Sequence, residues 1–227
     1  MHKGTRVTGW IMGVAVAFGL QFTISAGAAE TTSSPAMMDM TSSAGSMHDM
    51  DMHQTMSSGA AISSWRSYTV PALTLIDQHD MPVRLNEVLT GDRPVLVQFF
   101  YASCTTICGI RSAQLVALAK KLAKADIDIG LYMVTTDPDR DTPARLLSYS
   151  QEFGTPPANW QLMTGTLAQT REVQAAFDAT DPAENRMFHR PETFIHAGKG
   201  GKWLRIDGMT TGLQLEQQIK MVVASAR

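Results

Sequence analysis

Cys104 and Cys108 are the only two cysteines in this 227-residue chain, and three residues separate them. Two thiols cannot staple a disulfide-rich scaffold, so a pair this close either reacts or binds something. If the segment is helical, positions i and i+4 share a face with Cα atoms about 6 Å apart, which suits a disulfide or a one-sided clamp on a metal ion. A structural disulfide is the third option, but so short a ring removes little entropy from the unfolded chain. A second chemical cluster lies upstream. Seven of the 15 methionines (Met37, Met38, Met40, Met47, Met50, Met52 and Met56) fall in one short window with His48 and His53, densest in the run MHDMDMH at 47–53. Thioether sulfur is soft and uncharged, so it prefers Cu(I), and it is not lost to disulfide formation as a thiolate is. The two imidazoles extend the preference to Cu(II).

The elements around the cysteines read as a βαβ unit. The continuous apolar run PVLVQFFY at 94–101 is of strand type, Ile110 to Ala125 carries Leu115, Leu118 and Leu122 at helical spacing, and Ile127 to Thr135 is apolar again. Such a unit places two parallel strands through a right-handed crossover. The cysteines then sit at the turn from strand to helix, where free N–H groups and the helix dipole favour a thiolate. Upstream, Tyr68–Ile76 and Pro82–Leu85 flank the polar turn Asp77–Asp80 as a hairpin-like entry. Downstream, Asp141 followed by Thr142 and Pro143 predicts an N-cap and a helix through Phe153, with further helices at about 166–179 and 210–224. Phe194, Ile195, Trp203, Leu204 and Ile206 mark two strands around the turn at 198–201, which leaves His189 in the loop just before a strand. His196 reads as a strand residue, His79 as a turn residue, and Arg111 as a solvated side chain on the first helix.

The chain ends divide by composition. Lys3 and Arg6, the apolar run Trp10–Ile24 and the small residues Ala26–Ala28 have the order of a secretory signal peptide over 1–28; residues 9–29 are also just long enough to be a retained anchor. Residues 29–64 hold no Lys or Arg, four acids, many Ser, Thr and Gly and no periodicity, the signature of a disordered Met/His-rich linker. Residues 65–227 are the folded domain, with bases and acids in balance. A net charge of -2 and no basic block argue against nucleic acid as a partner. Either reading of the N-terminus puts the cysteines in the periplasm or another extracytoplasmic space, where a nearby pair oxidises unless a reductant or a metal holds it.

Four stretches, FFYASCTTICGIRSAQL (99–115), TTDPDRDTPARLLSYSQEFG (135–154), LMTGT (162–166) and HRPETFIHAGKGGKW (189–203), stand in the order and spacing of one family. Over about residues 68–223 the chain resembles the Sco/SenC copper-assembly proteins. The resemblance implies an α/β, thioredoxin-like fold with a central mixed sheet flanked by helices, a C-x-x-x-C pair and a distant histidine. It implies Cys104, Cys108 and His189 as ligands of one copper ion, passed to the binuclear copper site of cytochrome c oxidase or used while that site's cysteines are reduced. Two thiolates and one imidazole suit trigonal Cu(I) and tolerate Cu(II), whereas structural zinc normally takes a fourth ligand. In the family Asp137 borders the metal loop, where it would orient it from behind the ligands.

The sequence departs from the family pattern at Thr105 and Gly109, where prolines are usual, at Phe188, where an acid often stands, and at His196 in place of an aspartate. Pro191 sits where thioredoxin-like proteins carry a cis-proline. Three functions fit these residues. A metallochaperone would gather copper on its tail, hold it at the three ligands and hand it to an apo copper protein such as an oxidase subunit. A thiol-disulfide oxidoreductase would attack through Cys104, resolve through Cys108, tune through His189 and draw on a thioredoxin-like reductant. A periplasmic copper buffer would use the same site without delivery.

Overall fold

The computed structural model describes residues 61–180, 190–198 and 200–225. In chain order the described elements are β1 (Ile62–Arg66), β2 (Thr74–Asp77), β3 (Pro82–Arg84), α1 (Leu85–Thr90), β4 (Val95–Phe100), α2 (Ile107–Lys124), β5 (Gly130–Thr135), α3 (Pro143–Gln151), β6 (Trp160–Thr164), α4 (Leu167–Ala176), β7 (Glu192–His196), β8 (Trp203–Asp207) and α5 (Gly212–Ser225). The strands form one mixed sheet in the order β1-β8-β7-β4-β5-β6-β2-β3. The expected βαβ unit is its centre: β4 runs parallel to β5, from Val95 beside Gly130 to Phe100 beside Thr135. Both strands are buried along their whole length, which is why they read as unbroken apolar runs.

Alternation along these strands feeds two cores. Leu96, Phe100, Leu131 and Met133 face a layer built from α2, α3 and α5, which contribute Leu115, Leu118, Leu122, Leu146, Ile219 and Val222. Val95, Val97, Phe99 and Val134 face the opposite layer, with Leu85 and Leu89 of α1 and Val173 of α4. There Tyr68, Phe99, Phe177, Phe194 and Trp203 pack mostly edge to face, with centroids between 5.0 and 6.4 Å apart.

Several elements differ from the sequence expectation. β1 crosses the 64/65 boundary placed between linker and domain. It is an edge strand whose side chains are almost all exposed, held by backbone pairing from Ile62 beside Asp207 to Arg66 beside Trp203, so no apolar pattern marks it. The hairpin is present, but its first strand starts only at Thr74: Pro71 has no N–H to give a ladder, and Tyr68 joins the aromatic core instead. α2 starts at Ile107, three residues before the apolar periodicity does. α3 is capped by Thr142, whose side chain accepts the Arg145 N–H at 3.3 Å, with Pro143 opening the helix; Asp141 is not the cap. The signal peptide, the anchor at 9–29, the Met/His-rich tail and His189 lie outside the described residues.

Candidate metal centre

The two cysteines occupy the turn between β4 and α2, as their position in the βαβ unit requires, but they do not share a helical face. Cys104 precedes the helix in a turn closed by its own N–H on the Tyr101 carbonyl at 3.2 Å, and only Cys108 lies within the first helical turn. Cys104 is partly exposed and Cys108 fully buried, and both are free thiols. The first turn of α2 carries no acidic residue, and Thr106 at the cap position makes no side-chain capping bond. Backbone N–H groups are left for another acceptor.

That acceptor is the Cys104 sulfur. Burial works against its ionisation, but hydrogen bonds from the side chains and backbones of Cys108 and Thr106 outweigh it and bring Cys104 down to about 6. The Thr106 hydroxyl lies 3.4 Å from the sulfur. Cys108 moves the other way, up to about 12, because burial and the neighbouring Cys104 both oppose a second negative charge. The Tyr101 phenol, half-buried and hydrogen-bonded to Cys104, is likewise pushed up to about 12 by partial burial and by that neighbour, and stays a neutral donor. At neutral pH the pair is therefore one reachable thiolate backed by one buried thiol. Such a pair can attack a disulfide, or it can capture a soft cation and release the Cys108 proton as the second bond forms.

Two buried side chains that the sequence reading placed elsewhere hold this turn. Asp141, 1% exposed, accepts a hydrogen bond from the Ala102 N–H at 3.0 Å and another from the Thr135 hydroxyl. Arg145 of α3 donates to the Ala102 carbonyl at 3.4 Å, so the residue that opens the cysteine turn is gripped on both peptide groups. Arg111, expected in solvent, is 4% exposed under the dithiol. It donates to the carbonyls of Phe99 (3.4 Å) and Glu192 and to the Thr193 hydroxyl (3.3 Å), bridging β4 and β7. The signal was available: Arg111 falls on the same helical stripe as Cys108, Leu115, Leu118 and Leu122.

Asp137 is buried at the carboxyl end of β5, beside the strand that leads to the cysteines, and its carboxylate takes a hydrogen bond from Arg140 at 3.2 Å. His196 is a buried β7 residue stacked on Trp203, with ring centroids 4.6 Å apart. The Arg190–Pro191 bond is trans, since the described residues contain no cis peptide, so the thioredoxin-type cis-proline is not reproduced. Among the described residues no three His, Cys, Asp or Glu side chains gather into a metal site.

A mixed sheet whose first parallel βα turn carries an asymmetric dithiol defines a thioredoxin-like dithiol protein. The chain belongs to the SCO1/SenC family, whose model matches residues 64–224. It is similar to the SCO1 protein homolog of Bacillus subtilis (strain 168), with 28% identity over 152 residues, 65% of this chain and 77% of that protein. Among solved structures it resembles BsSco, a member of the Sco family of cytochrome c oxidase assembly proteins in which a disulfide switch was identified. That match has a TM-score of 0.59 and 24% identity and covers 71% of this chain and 96% of the other. It also resembles ScoI of Arabidopsis thaliana with copper bound, at a TM-score of 0.57 and 17% identity over 69% of this chain and 98% of the other.

Proposed function

We propose that this protein is an extracytoplasmic copper metallochaperone that holds copper, as cargo, on Cys104, Cys108 and His189 and passes it to an apo copper protein such as a cytochrome c oxidase subunit. The observation that carries the reading is where β7 begins. Thr193 stands beside Gln98 near the carboxyl end of β4, so β7 begins on the sheet edge that carries the dithiol. A histidine three residues before Glu192 is within chain reach of that edge, and one imidazole added to two sulfurs is the three-ligand set that Cu(I) favours. The copper-bound Arabidopsis relative and the oxidase-assembly role stated for BsSco support the choice of metal and of acceptor. A leader at 1–28, cleaved or kept as an anchor, provides export; among the described residues no helix is long and apolar enough to cross a membrane. Asp137 steadies the site from behind, and Met47, His48, Met50, Met52 and His53 form an auxiliary copper-gathering tail.

A second reading rests on the split between the two thiols. A reachable thiolate beside a buried thiol is also the arrangement of an attacking and a resolving cysteine, with a thioredoxin-like reductant returning the pair to its reduced form. An anaerobic Cu(I) competition titration on the reduced, full chain separates the two. One tightly bound copper lost in Cys104→Ser and weakened in His189→Ala establishes the metal site. Undiminished binding in His189→Ala removes that ligand, and negligible binding by the unaltered protein moves the function to thiol exchange.

A further inference from the structure

Two hydroxyls converge on one of the two sulfurs. The Cys104 N–H on the Tyr101 carbonyl (3.2 Å) closes the cysteine turn, and from within that turn the Tyr101 phenol hydrogen-bonds back to the Cys104 side chain. From the other side Thr106 brings its hydroxyl to 3.4 Å from the Cys104 Sγ. A threonine at a cap position normally turns its oxygen to the helix N–H groups, but Thr106 makes no such bond. Its hydroxyl serves the sulfur instead. Cys108 has a different setting: it lies in the apolar layer with Ala102, Leu115 and Tyr149, where the buried hydroxyls of Ser112 and Tyr149 meet each other at 2.9 Å. A sulfur bound to a metal has no proton to give, so a hydroxyl beside it donates. Such a bond draws electron density off the sulfur and weakens its donation to the metal, which is how hydrogen bonds to sulfur shift the potentials of copper–thiolate and iron–sulfur sites. Cu(II) leans more on thiolate donation than Cu(I) and therefore loses more.

We propose that Tyr101 and Thr106 are positioning residues that set the oxidation state of the cargo, holding the site to Cu(I) through their hydrogen bonds to the Cys104 sulfur. The inference rests on the copper reading above and deepens it by naming the form of the metal. The couple concerned is Cu(II) plus one electron giving Cu(I), with both Cu–S bonds kept, so the metal alone changes oxidation state. Neither side chain touches the ion. Because both hydroxyls already face Cys104 in the metal-free protein, loading requires no rearrangement of the turn.

The test removes one hydroxyl at a time from the full chain, with Tyr101→Phe and Thr106→Val, and uses Tyr149→Phe as a control in the layer behind Cys108. The copper-loaded protein is titrated anaerobically with dithionite and redox mediators. The readouts are the Cu(II)/Cu(I) midpoint, the energy of the sulfur-to-Cu(II) charge-transfer band, and Cu(I) and Cu(II) affinities by competition. Tyr101→Phe should lower the ratio of Cu(I) to Cu(II) affinity about tenfold, a fall of about 59 mV in the one-electron midpoint. The band should move to longer wavelength. Thr106→Val should change the ratio less, about threefold, since water competes for an exposed hydroxyl, and Tyr149→Phe should leave it within about twofold. Should Tyr101→Phe fail to fold, the surface substitution at Thr106 still decides the matter. Unchanged ratios in the hydroxyl variants would overturn the proposal. So would equal losses of Cu(I) and Cu(II) affinity with the midpoint and band unmoved, the mark of a purely structural role, or an equal shift in Tyr149→Phe. A protein that holds copper in neither state would overturn it together with the copper reading, whereas the other outcomes leave that reading standing.

Discussion

At the scale of single residues, the dithiol is an unequal pair made by one helix terminus. The free N–H groups of α2 fall on Cys104, while Cys108, one turn further in, lies inside the core. Cys104 has its acidity raised on folding, so its thiolate form predominates above about pH 6 in the folded reduced protein, and only near 9 once unfolded. The folded state therefore gains stability from this group as pH rises between those values and loses it as pH falls through about 6. Alkylation by iodoacetamide, followed by mass spectrometry, should modify Cys104 first with a half-maximal rate near pH 6, and Cys108 should stay unmodified until the protein unfolds. A half-maximal rate near pH 9 at Cys104 would remove the helix-terminus account. The cysteines were legible in the sequence because a strand-type run and a helical period bracket them. Arg111 and Asp141 were misplaced: the stripe of α2 that Arg111 shares with Leu115, Leu118 and Leu122 did signal its burial, but the Phe99 and Glu192 carbonyls that meet it, like the Ala102 N–H that meets Asp141, are brought up by other elements.

At the scale of elements, α3 is the clamp on the cysteine turn. Asp141 before it and Arg145 within it hold the two peptide groups of Ala102, and Asp141 also ties in the carboxyl end of β5 through Thr135. Asp141→Ala should cost about 3 kcal/mol in chemical denaturation, because two buried donors lose a charged acceptor. Asp141→Asn should cost less, since it keeps an acceptor oxygen. A loss below about 1 kcal/mol for the alanine variant would mean that the turn holds itself. β1 gives a second element-scale expectation. A chain beginning at Trp65 loses three of the five β1–β8 residue pairs and bares the edge of β8, whereas one beginning at Ala61 keeps them all. The shorter chain should be less stable by about 2 kcal/mol, at roughly 1 kcal/mol per backbone hydrogen bond lost, which a urea melt of the two would measure. Composition placed that boundary three residues late because an exposed edge strand pairs through its backbone and leaves no side-chain rhythm.

At the scale of the whole molecule, the sheet order explains why so much of the architecture could be foreseen. The central strands are covered on both faces and read as continuous apolar runs, and the late helices carry their own signals: the capping box of Thr166 and Gln169 opens α4. β7 and β8 were legible as two strands around their turn; what could not be read was their antiparallel place beside β4, and β1 altogether, because these partners return from far along the chain. The charge pattern leads to a final expectation. The folded part is balanced in charge, while residues 29–64 hold the whole seven-methionine cluster and no base. Deleting residues 30–59, which spares β1, should lower the number of Cu(I) ions bound per chain and leave Tm within about 2 °C. Equal stoichiometry would make that segment a spacer.

The pairing of β1 with β8 also decides from which end the domain is held. Ile62 sits beside Asp207, Asp207 beside Glu192, and β7 runs alongside the carboxyl end of β4, so the polypeptide enters the fold on the same rim that carries the dithiol. The dithiol and the first residues of β1 thus share one rim of the sheet, three strands apart, so a docking partner broad enough to span that rim covers both.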